Sequence, residues 1–216
     1  KIGFIFGLKK EMDLLKYRHP EILYSHGYGE LSKQATKKLI DSGVGFIINI
    51  GLAGSISPKI NHGDIILVNS IFDENKNEYK TNQILKKIKR NLKKFNFKKC
   101  NLLTVDKIIT REKEKKSLAL KFKEASIIDM EAFHIKRALT KKKIKMVSLK
   151  VIFDDLSFQI PCFLKDCIDE IGNVKKFKFF FKIIVKPARL FTLLDLMHKF
   201  SKSEKVLKKL INCILT

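Results

Sequence analysis

Residues 127–155 read I-I-D-M-E-A-F-H-I-K-R-A-L-T-K-K-K-I-K-M-V-S-L-K-V-I-F-D-D, and this stretch decides the fold. It predicts the end of a strand, then a helix, then a second strand. Residues 146–153 of the second strand are mostly apolar and rich in branched side chains, which is typical of a strand covered on both faces. The unit therefore indicates an α/β protein with helices packed on a buried sheet.

Acidic residues lie at both ends of this helix-plus-strand unit. Asp129 and Glu131 precede the helix, and Asp154 and Asp155 follow the strand. Open α/β sheets bind ligands at the carboxyl ends of their strands, so these acids are candidates for an active site. The structural alternative is that Asp129 caps the helix, Glu131 interacts with the helix dipole and the two aspartates end a strand. Spacing alone leaves both interpretations open.

Strands and helices alternate along the rest of the chain. Apolar strands are predicted at residues 1–7, 21–25, 46–50, 65–68 and 101–105, and helices at 11–16, 30–41, 81–95 and 111–124. After Pro161 the pattern is helical, with segments at 163–171, 190–199 and 203–215. We predict a three-layer α/β/α sandwich with a mixed, mostly parallel central sheet and a helical C-terminal tail. Residues 1–216 would form one domain, with the core in 1–160 and the helical extension in 161–216.

Two further segments carry candidate site residues. Glu11 follows the first predicted strand; it is a candidate base if it lies at the ligand-binding edge of the sheet, and otherwise an exposed helix residue. Gly51-Leu52-Ala53-Gly54-Ser55 follows the third strand, where small side chains would let backbone N–H groups approach an anion or a sugar. No Gly-Lys-Ser/Thr sequence follows these glycines, so the segment is not a Walker loop.

The chain is strongly basic, because 45 Lys and Arg residues against 22 Asp and Glu residues give a net charge of +23. The lysines are spread along the whole chain without a recognised nucleic-acid motif, so we predict no specific nucleic-acid partner. Residues 175–186 interleave Phe with Lys, which would suit peripheral contact with a membrane surface. The alternative for this segment is a core or an oligomer interface with lysines at its rim.

No metal or cofactor is predicted. The four cysteines lack zinc-site spacing, and Glu131-x-x-His134 has the spacing of a di-iron helix motif without a second copy. Residues 1–8 are too short for a signal peptide, and no apolar run reaches the length of a transmembrane helix. We therefore expect a cytoplasmic protein.

Seven short motifs, in order along residues 1–160, resemble the purine nucleoside phosphorylase and nucleosidase superfamily. They are K-I-G-F-I-F-G with Glu11, Gly27-x-Gly29, Asn49-Ile50-Gly51-Leu52-Ala53-Gly54, Gly63-Asp64-Ile65-Ile66, Thr104-Val105-Asp106, Asp129-Met130-Glu131 and Lys150-Val151-Ile152-Phe153-Asp154. The series is most similar to the hopanoid-associated phosphorylases, linked to cleavage of adenosylhopane, and next to the methylthioadenosine/S-adenosylhomocysteine nucleosidases. The resemblance implies an enzyme that releases adenine from a purine nucleoside or a 5′-substituted adenosine.

The resemblance also implies roles for single residues. Asp154 matches the acid that gives a proton to N7 of the base, and Glu11 matches the acid that activates the attacking water. Glu131 matches the carboxylate that binds the ribose 2′- and 3′-hydroxyls, with Met130 packing against the sugar. The other matched positions are Gly51, Leu52, Ala53 and Gly54 beside the ribose and nucleophile, Ile108 and Ile109 in the base pocket, and Lys150 beside the nucleophile.

The acceptor of the ribosyl group stays open between water and phosphate. Arg18, Lys150 and the glycine-rich segment would bind phosphate as a co-substrate, whereas Glu11 beside the nucleophile favours water. By resemblance we also expect a homo-oligomer.

Three positions depart from the family pattern. Leu52 stands where the nucleosidases often have serine, and Ile108 replaces an aromatic residue that stacks on the base. Lys150 replaces an arginine, so the charge is kept but the bidentate fork is lost.

The alternative function is therefore a degenerate or non-catalytic nucleoside-binding relative associated with a membrane surface. Retention of Glu11, Glu131 and Asp154 together argues against that alternative.

Overall fold

The computed structural model describes residues 1–15, 22–81, 85–161 and 189–215. Strands and helices alternate along this part of the chain. In order they are β1 Ile2–Phe6, α1 Lys9–Met12, β2 Ile22–His26, α2 Glu30–Asp41, β3 Phe46–Ser55, β4 Ile65–Phe72, β5 Glu78–Lys80, α3 Lys86–Leu92, β6 Phe97–Thr104, α4 Glu112–Lys121, β7 Ile127–Asp129, α5 Ala132–Leu139, β8 Lys145–Asp154 and α6 Arg189–Leu215.

All eight described strands belong to one mixed sheet. Parallel pairs join β1 to β2 and β3, β3 to β8, and β6 to β4 and β7. Antiparallel pairs join β3 to β7, β4 to β5 and β4 to β8. The pairs among β3, β8, β4, β6 and β7 close into a ring, so these five strands form a barrel-like end of the sheet.

Helices cover both faces of the sheet. Leu39 of α2 and Ile135 of α5 pack on one face. Ile88 of α3 and Leu207 of α6 pack on the other. Phe122, which follows α4, packs against the ring of strands in a third cluster. The predicted α/β/α sandwich with a mixed, mostly parallel sheet is therefore confirmed.

The second half of β3 departs from the predicted elements. The sequence predicts a strand that ends at Ile50, followed by a glycine-rich turn, but β3 continues to Ser55. β8 lies alongside it in parallel as far as Gly54, which is opposite Asp154. The turn interpretation is wrong because β8 gives this segment the ladder hydrogen bonds that its backbone needs when buried. Residues 51–54 therefore form a strand that lies beside the end of β8.

Several other boundaries were also wrong. α1 spans only Lys9–Met12, and residues 72–79, whose polar sequence predicts a surface loop, include the start of β5, which pairs with the extended β4. α6 is one helix, although two were predicted, because residues 200–202 contain neither proline nor glycine to end it. The predicted segments at 163–171 and 175–186 lie outside the described residues. Among the helices that are described, none is both long and apolar enough to cross a membrane.

Candidate active site

A cavity of about 230 Å³ opens at the carboxyl ends of β1 and β8, beside the second half of β3. Nine of the eleven predicted site residues line it: Glu11, Leu52, Ala53, Gly54, Ile108, Ile109, Met130, Glu131 and Asp154. The other two, Gly51 and Lys150, do not contribute to its wall. The fold thus brings residues from four of the seven motifs, together with Ile108 and Ile109, to one place, while their roles in catalysis stay predictions.

Glu11 is held from two sides and is only 3% exposed. Its Oε2 accepts a hydrogen bond from the Leu8 N–H at 3.0 Å, and its Oε1 accepts one from the Leu52 N–H at 2.9 Å. Burial raises the pKa of Glu11, and these backbone donors oppose the rise. The alternative of an exposed helix residue is therefore wrong, and a buried carboxylate of raised pKa is a stronger proton acceptor.

Two glycines leave room for the carboxylates. A Cβ added to Gly51 would lie 2.9 Å from Glu11 Oε2, and one added to Gly7 would lie 3.2 Å from Glu131 Oε1. The Leu52 N–H, predicted to approach an anion or a sugar, donates to Glu11. The small residues of β3 therefore admit a protein carboxylate to the cavity wall.

Lys150 is fully buried on β8 and forms ion pairs with two carboxylates. Its Nζ lies 2.8 Å from Asp129 Oδ2 and donates a hydrogen bond to Glu131 Oε1. Burial acts to lower the pKa of Lys150, but Asp129 and Glu131 outweigh it and raise the pKa. Burial and the Asp129 carboxylate raise the pKa of Glu131, against the opposing charge of Lys150. Lys150 therefore acts on the cavity through Asp129 and Glu131, which both line it.

Asp129 ends β7 and fixes the start of α5. Its Oδ2 accepts a hydrogen bond from the Ala132 N–H at 3.1 Å, and its Oδ1 accepts one from Thr104 Oγ1 at 2.7 Å. Thr104 Oγ1 in turn accepts a hydrogen bond from the Phe133 N–H at 2.9 Å. Asp129 thus caps the start of α5, as the structural alternative predicted. It also forms an ion pair with Lys150. Thr104 belongs to one of the seven family motifs, but no role was predicted for it, since one threonine at a strand end carries no signal of its partners.

Asp154 ends β8 and packs against Gly54, where an added Cβ would lie 2.8 Å from its Oδ1. Its Oδ2 lies 2.5 Å from Nζ of Lys115, a fully buried residue of α4. Burial raises the pKa of Asp154, and the charge of Lys115 opposes the rise. Sequence reasoning missed Lys115, because nothing local distinguishes one buried lysine among 45 basic residues.

The remaining wall of the cavity is largely apolar. It includes Val105, Ile108, Ile109, Phe153 and Ile160. An apolar wall with a few convergent carboxylates suits a flat heterocyclic base joined to a polyhydroxylated sugar. Within the described residues, no group of three His, Cys, Asp or Glu side chains is arranged to hold a metal ion.

Comparison with known proteins identifies the fold. No family model and no curated protein matches the sequence. Futalosine hydrolase of Helicobacter pylori matches with a TM-score of 0.71 at 16% identity, over 99% of this chain and 96% of that chain. The 5′-methylthioadenosine/S-adenosylhomocysteine nucleosidase from Neisseria meningitidis, in complex with methylthio-immucillin-A, matches with a TM-score of 0.72 at 13% identity, over 99% and 97% of the two chains. The structure therefore has the nucleoside phosphorylase-like α/β fold.

Proposed function

We propose that this protein is a nucleosidase that hydrolyses the N-glycosidic bond of a purine nucleoside and releases the base. The observation that supports this most is the placement of Glu11, Glu131 and Asp154 around one cavity with a largely apolar wall. All three carboxylates are buried, so each acts in surroundings poor in water. Nucleosidases in complex with nucleoside analogues are among the solved structures that share the fold.

The proposed reaction assigns one task to each carboxyl group. Asp154 gives its proton to N7 of the base while the C1′–N9 bond breaks and its electron pair moves to the base. Glu131 accepts hydrogen bonds from the ribose hydroxyls, and its negative charge stabilises the cation that develops on the sugar. A water molecule held by Glu11 attacks C1′ and gives a proton to Glu11. Exchange with solvent then restores both carboxyl groups, so one nucleoside and one water yield one base and one free sugar.

The charges around the cavity favour water over phosphate as the acceptor. Four buried carboxylates and two buried lysines lie in or behind its wall: Glu11, Asp129, Glu131 and Asp154, with Lys115 and Lys150. The exposed Lys107 also lines the cavity, but the Glu11 carboxylate beside the proposed nucleophile would repel a phosphate ion. Lys150 and the Leu52 N–H, which would serve phosphate, are already bound to carboxylates, and Arg18 lies outside the described residues. Phosphorolysis is therefore the less supported form of the reaction.

The proposed substrates are adenosine and 5′-substituted adenosines. Adenosylhopane as the substrate, and a homo-oligomer as the assembly, rest on the sequence resemblance alone. Peripheral membrane contact was predicted from residues 175–186, which lie outside the described residues. The non-catalytic alternative differs in one measurable way, since it requires nucleoside binding without release of the base.

Release of free adenine tests this proposal directly. The purified protein is incubated with adenosine and with 5′-methylthioadenosine, each with and without phosphate, and the free base is followed by chromatography. We expect release without phosphate, with Asp154→Asn slower by about 10²–10⁴-fold. Asp41→Asn is the control for loss of one carboxylate, because Asp41 is exposed at the end of α2 and does not line the cavity. Release that depends on phosphate would overturn hydrolysis, and binding without release would support the non-catalytic alternative.

A further inference from the structure

Lys115 is the fourth residue of α4, yet its side chain is completely buried. Its Nζ lies 2.5 Å from Asp154 Oδ2 and donates to the carbonyl oxygens of Asp155 at 2.5 Å and Phe158 at 3.0 Å. An ammonium group has three protons, so these three acceptors occupy all of them. Burying such a charge is unfavourable unless it is paired and fully hydrogen-bonded, which is the condition met here.

The neighbouring lysine shows that α4 itself does not require this arrangement. Lys116 is exposed and pairs with Glu112 at 2.7 Å on the helix surface. Lys115 does not line the cavity, so Asp154 stands between it and any bound substrate. Its influence on the reaction therefore has to pass through Asp154 or through the turn that follows β8.

We propose that Lys115 is a positioning residue for base release: it holds one oxygen of Asp154 and stabilises the carboxylate that forms when Asp154 protonates the base. This inference rests on the proposed function. During the step, the Asp154 proton passes to N7, the electron pair of the C1′–N9 bond passes to the base, and Lys115 keeps its three protons. The new negative charge on Asp154 lies next to an ammonium group inside the protein, where such an interaction is stronger than in water.

The strength of Asp154 as an acid is set by opposing influences. Burial raises its pKa, the charge of Lys115 on α4 lowers it, and the charge of Asp155 on the same chain raises it. Without Lys115, Asp154 would hold its proton more tightly and would be a weaker acid towards the base. A general acid works best when its pKa lies near the working pH, so removal of this charge should slow the chemical step.

The decisive variant is Lys115→Gln, because the amide keeps N–H donors for the two carbonyl groups but carries no charge. Lys116→Gln is the matched control on the same helix. We expect kcat of Lys115→Gln to fall by about 10–100-fold with KM within about twofold, and the alkaline limb of its kcat profile to move to higher pH. A role confined to tying down the turn predicts a changed KM or a lower stability with the limb unmoved, and that outcome would overturn the proposal.

A second measurement does not depend on activity. The carboxyl C=O infrared band of Asp154, isolated by subtracting the spectrum of Asp154→Asn, is titrated in ligand-free protein. We expect a higher midpoint in Lys115→Gln than in the wild type, and equal midpoints would overturn the proposal. A raised midpoint in a protein that releases no base would instead reject the proposed hydrolysis and retain the control of Asp154 by Lys115. Lys115→Met, which is close to lysine in length, replaces the glutamine variant in both measurements if that variant does not fold.

Discussion

The position of the Glu11 carboxylate requires a residue without a side chain at Gly51. A methyl group there would lie 2.9 Å from Glu11 Oε2, and the carboxylate cannot move away without losing its hydrogen bond from Leu8 or Leu52. We expect Gly51→Ala to lower kcat at least about tenfold and to lower the free energy of unfolding by about 1–3 kcal/mol. Base release and urea unfolding measure the two effects.

The control for this substitution is Gly45→Ala just before β3. An added Cβ at Gly45 meets no atom within 4 Å, so both measurements should stay close to the wild type. Wild-type kcat in Gly51→Ala would show that Glu11 can move freely and would contradict its proposed role as the base.

The raised pKa of Glu131 predicts that the stability of the protein falls as the pH rises. Burial and Asp129 raise its pKa from 4.5 to about 7 in the folded protein. Between these values the folded protein keeps a proton that the unfolded chain releases, so stability should fall as pH rises, by at most about 1.4 kcal/mol per pH unit for this group. The raised pKa values of Glu11 and Asp154 act in the same direction.

Urea unfolding between about pH 5 and 7 measures this slope. Glu131→Gln removes the titrating group and should flatten the dependence of the unfolding free energy on pH. Parallel curves for the wild type and the variant would contradict the assignment of the proton to Glu131.

The carboxylates at the cavity could be predicted from the sequence. The ion pairs that fix their positions and shift their pKa values could not. Glu11, Glu131 and Asp154 are acids near strand ends, so their position in the chain carried a signal. The buried role of Lys115 carried none, because it depends on a contact between α4 and the end of β8. Ion pairs of this kind are set by tertiary packing, which local residue spacing does not encode.

At the level of elements, periodicity predicted β8 and α5 well but missed the true end of β3. Glycine and alanine have little strand preference, and residues 51–54 are extended because β8 pairs with them from far along the chain. Closure of the ring was equally unpredictable, since it needs the antiparallel contacts of β7 with β3 and of β4 with β8. These long-range pairs bring the candidate carboxylates to one cavity.

Thr104 at the end of β6 links two of these elements. Its hydroxyl donates to Asp129 Oδ1 and accepts from the Phe133 N–H, so it joins β7 to the first turn of α5. Thr104→Val keeps the shape of the side chain but leaves the buried Asp129 Oδ1 and the half-buried Phe133 N–H without this partner, which should cost about 1–3 kcal/mol in unfolding free energy. Chemical denaturation measures the change.

Thr140→Val at the end of α5 is the matched control. Thr140 is exposed and its hydroxyl donates only a long bond of 3.3 Å to the Lys136 carbonyl. Its effect should stay within about 0.5 kcal/mol. Similar losses in the two variants would mean that the Thr104 hydroxyl does not link β7 to α5.

At the scale of the whole molecule, net charge and cavity charge have opposite signs. The chain carries +23, but the side chains buried at the cavity are mainly carboxylates. Composition describes the surface that faces solvent, so it gave no indication of the charge that a substrate would meet. The chemistry of the cavity follows from which residues the sheet buries, and this requires the fold.

The last helix, α6, tests whether the tail and the core unfold as one unit. Leu210 is fully buried against the sheet, and Ser203 Oγ donates to the Ile152 carbonyl of β8 at 3.3 Å. If residues 1–160 and α6 form a single domain, Leu210→Ala should lower the unfolding free energy of the whole protein by about 2–5 kcal/mol in one transition.

The control on the same helix is Leu194→Ala, which removes a side chain that is 55% exposed. It should change the unfolding free energy by no more than about 0.5 kcal/mol. Circular dichroism and tyrosine fluorescence should report the same midpoint for each variant. A transition at lower denaturant concentration that appears in circular dichroism but not in tyrosine fluorescence would mean that α6 unfolds separately from the sheet on which it packs.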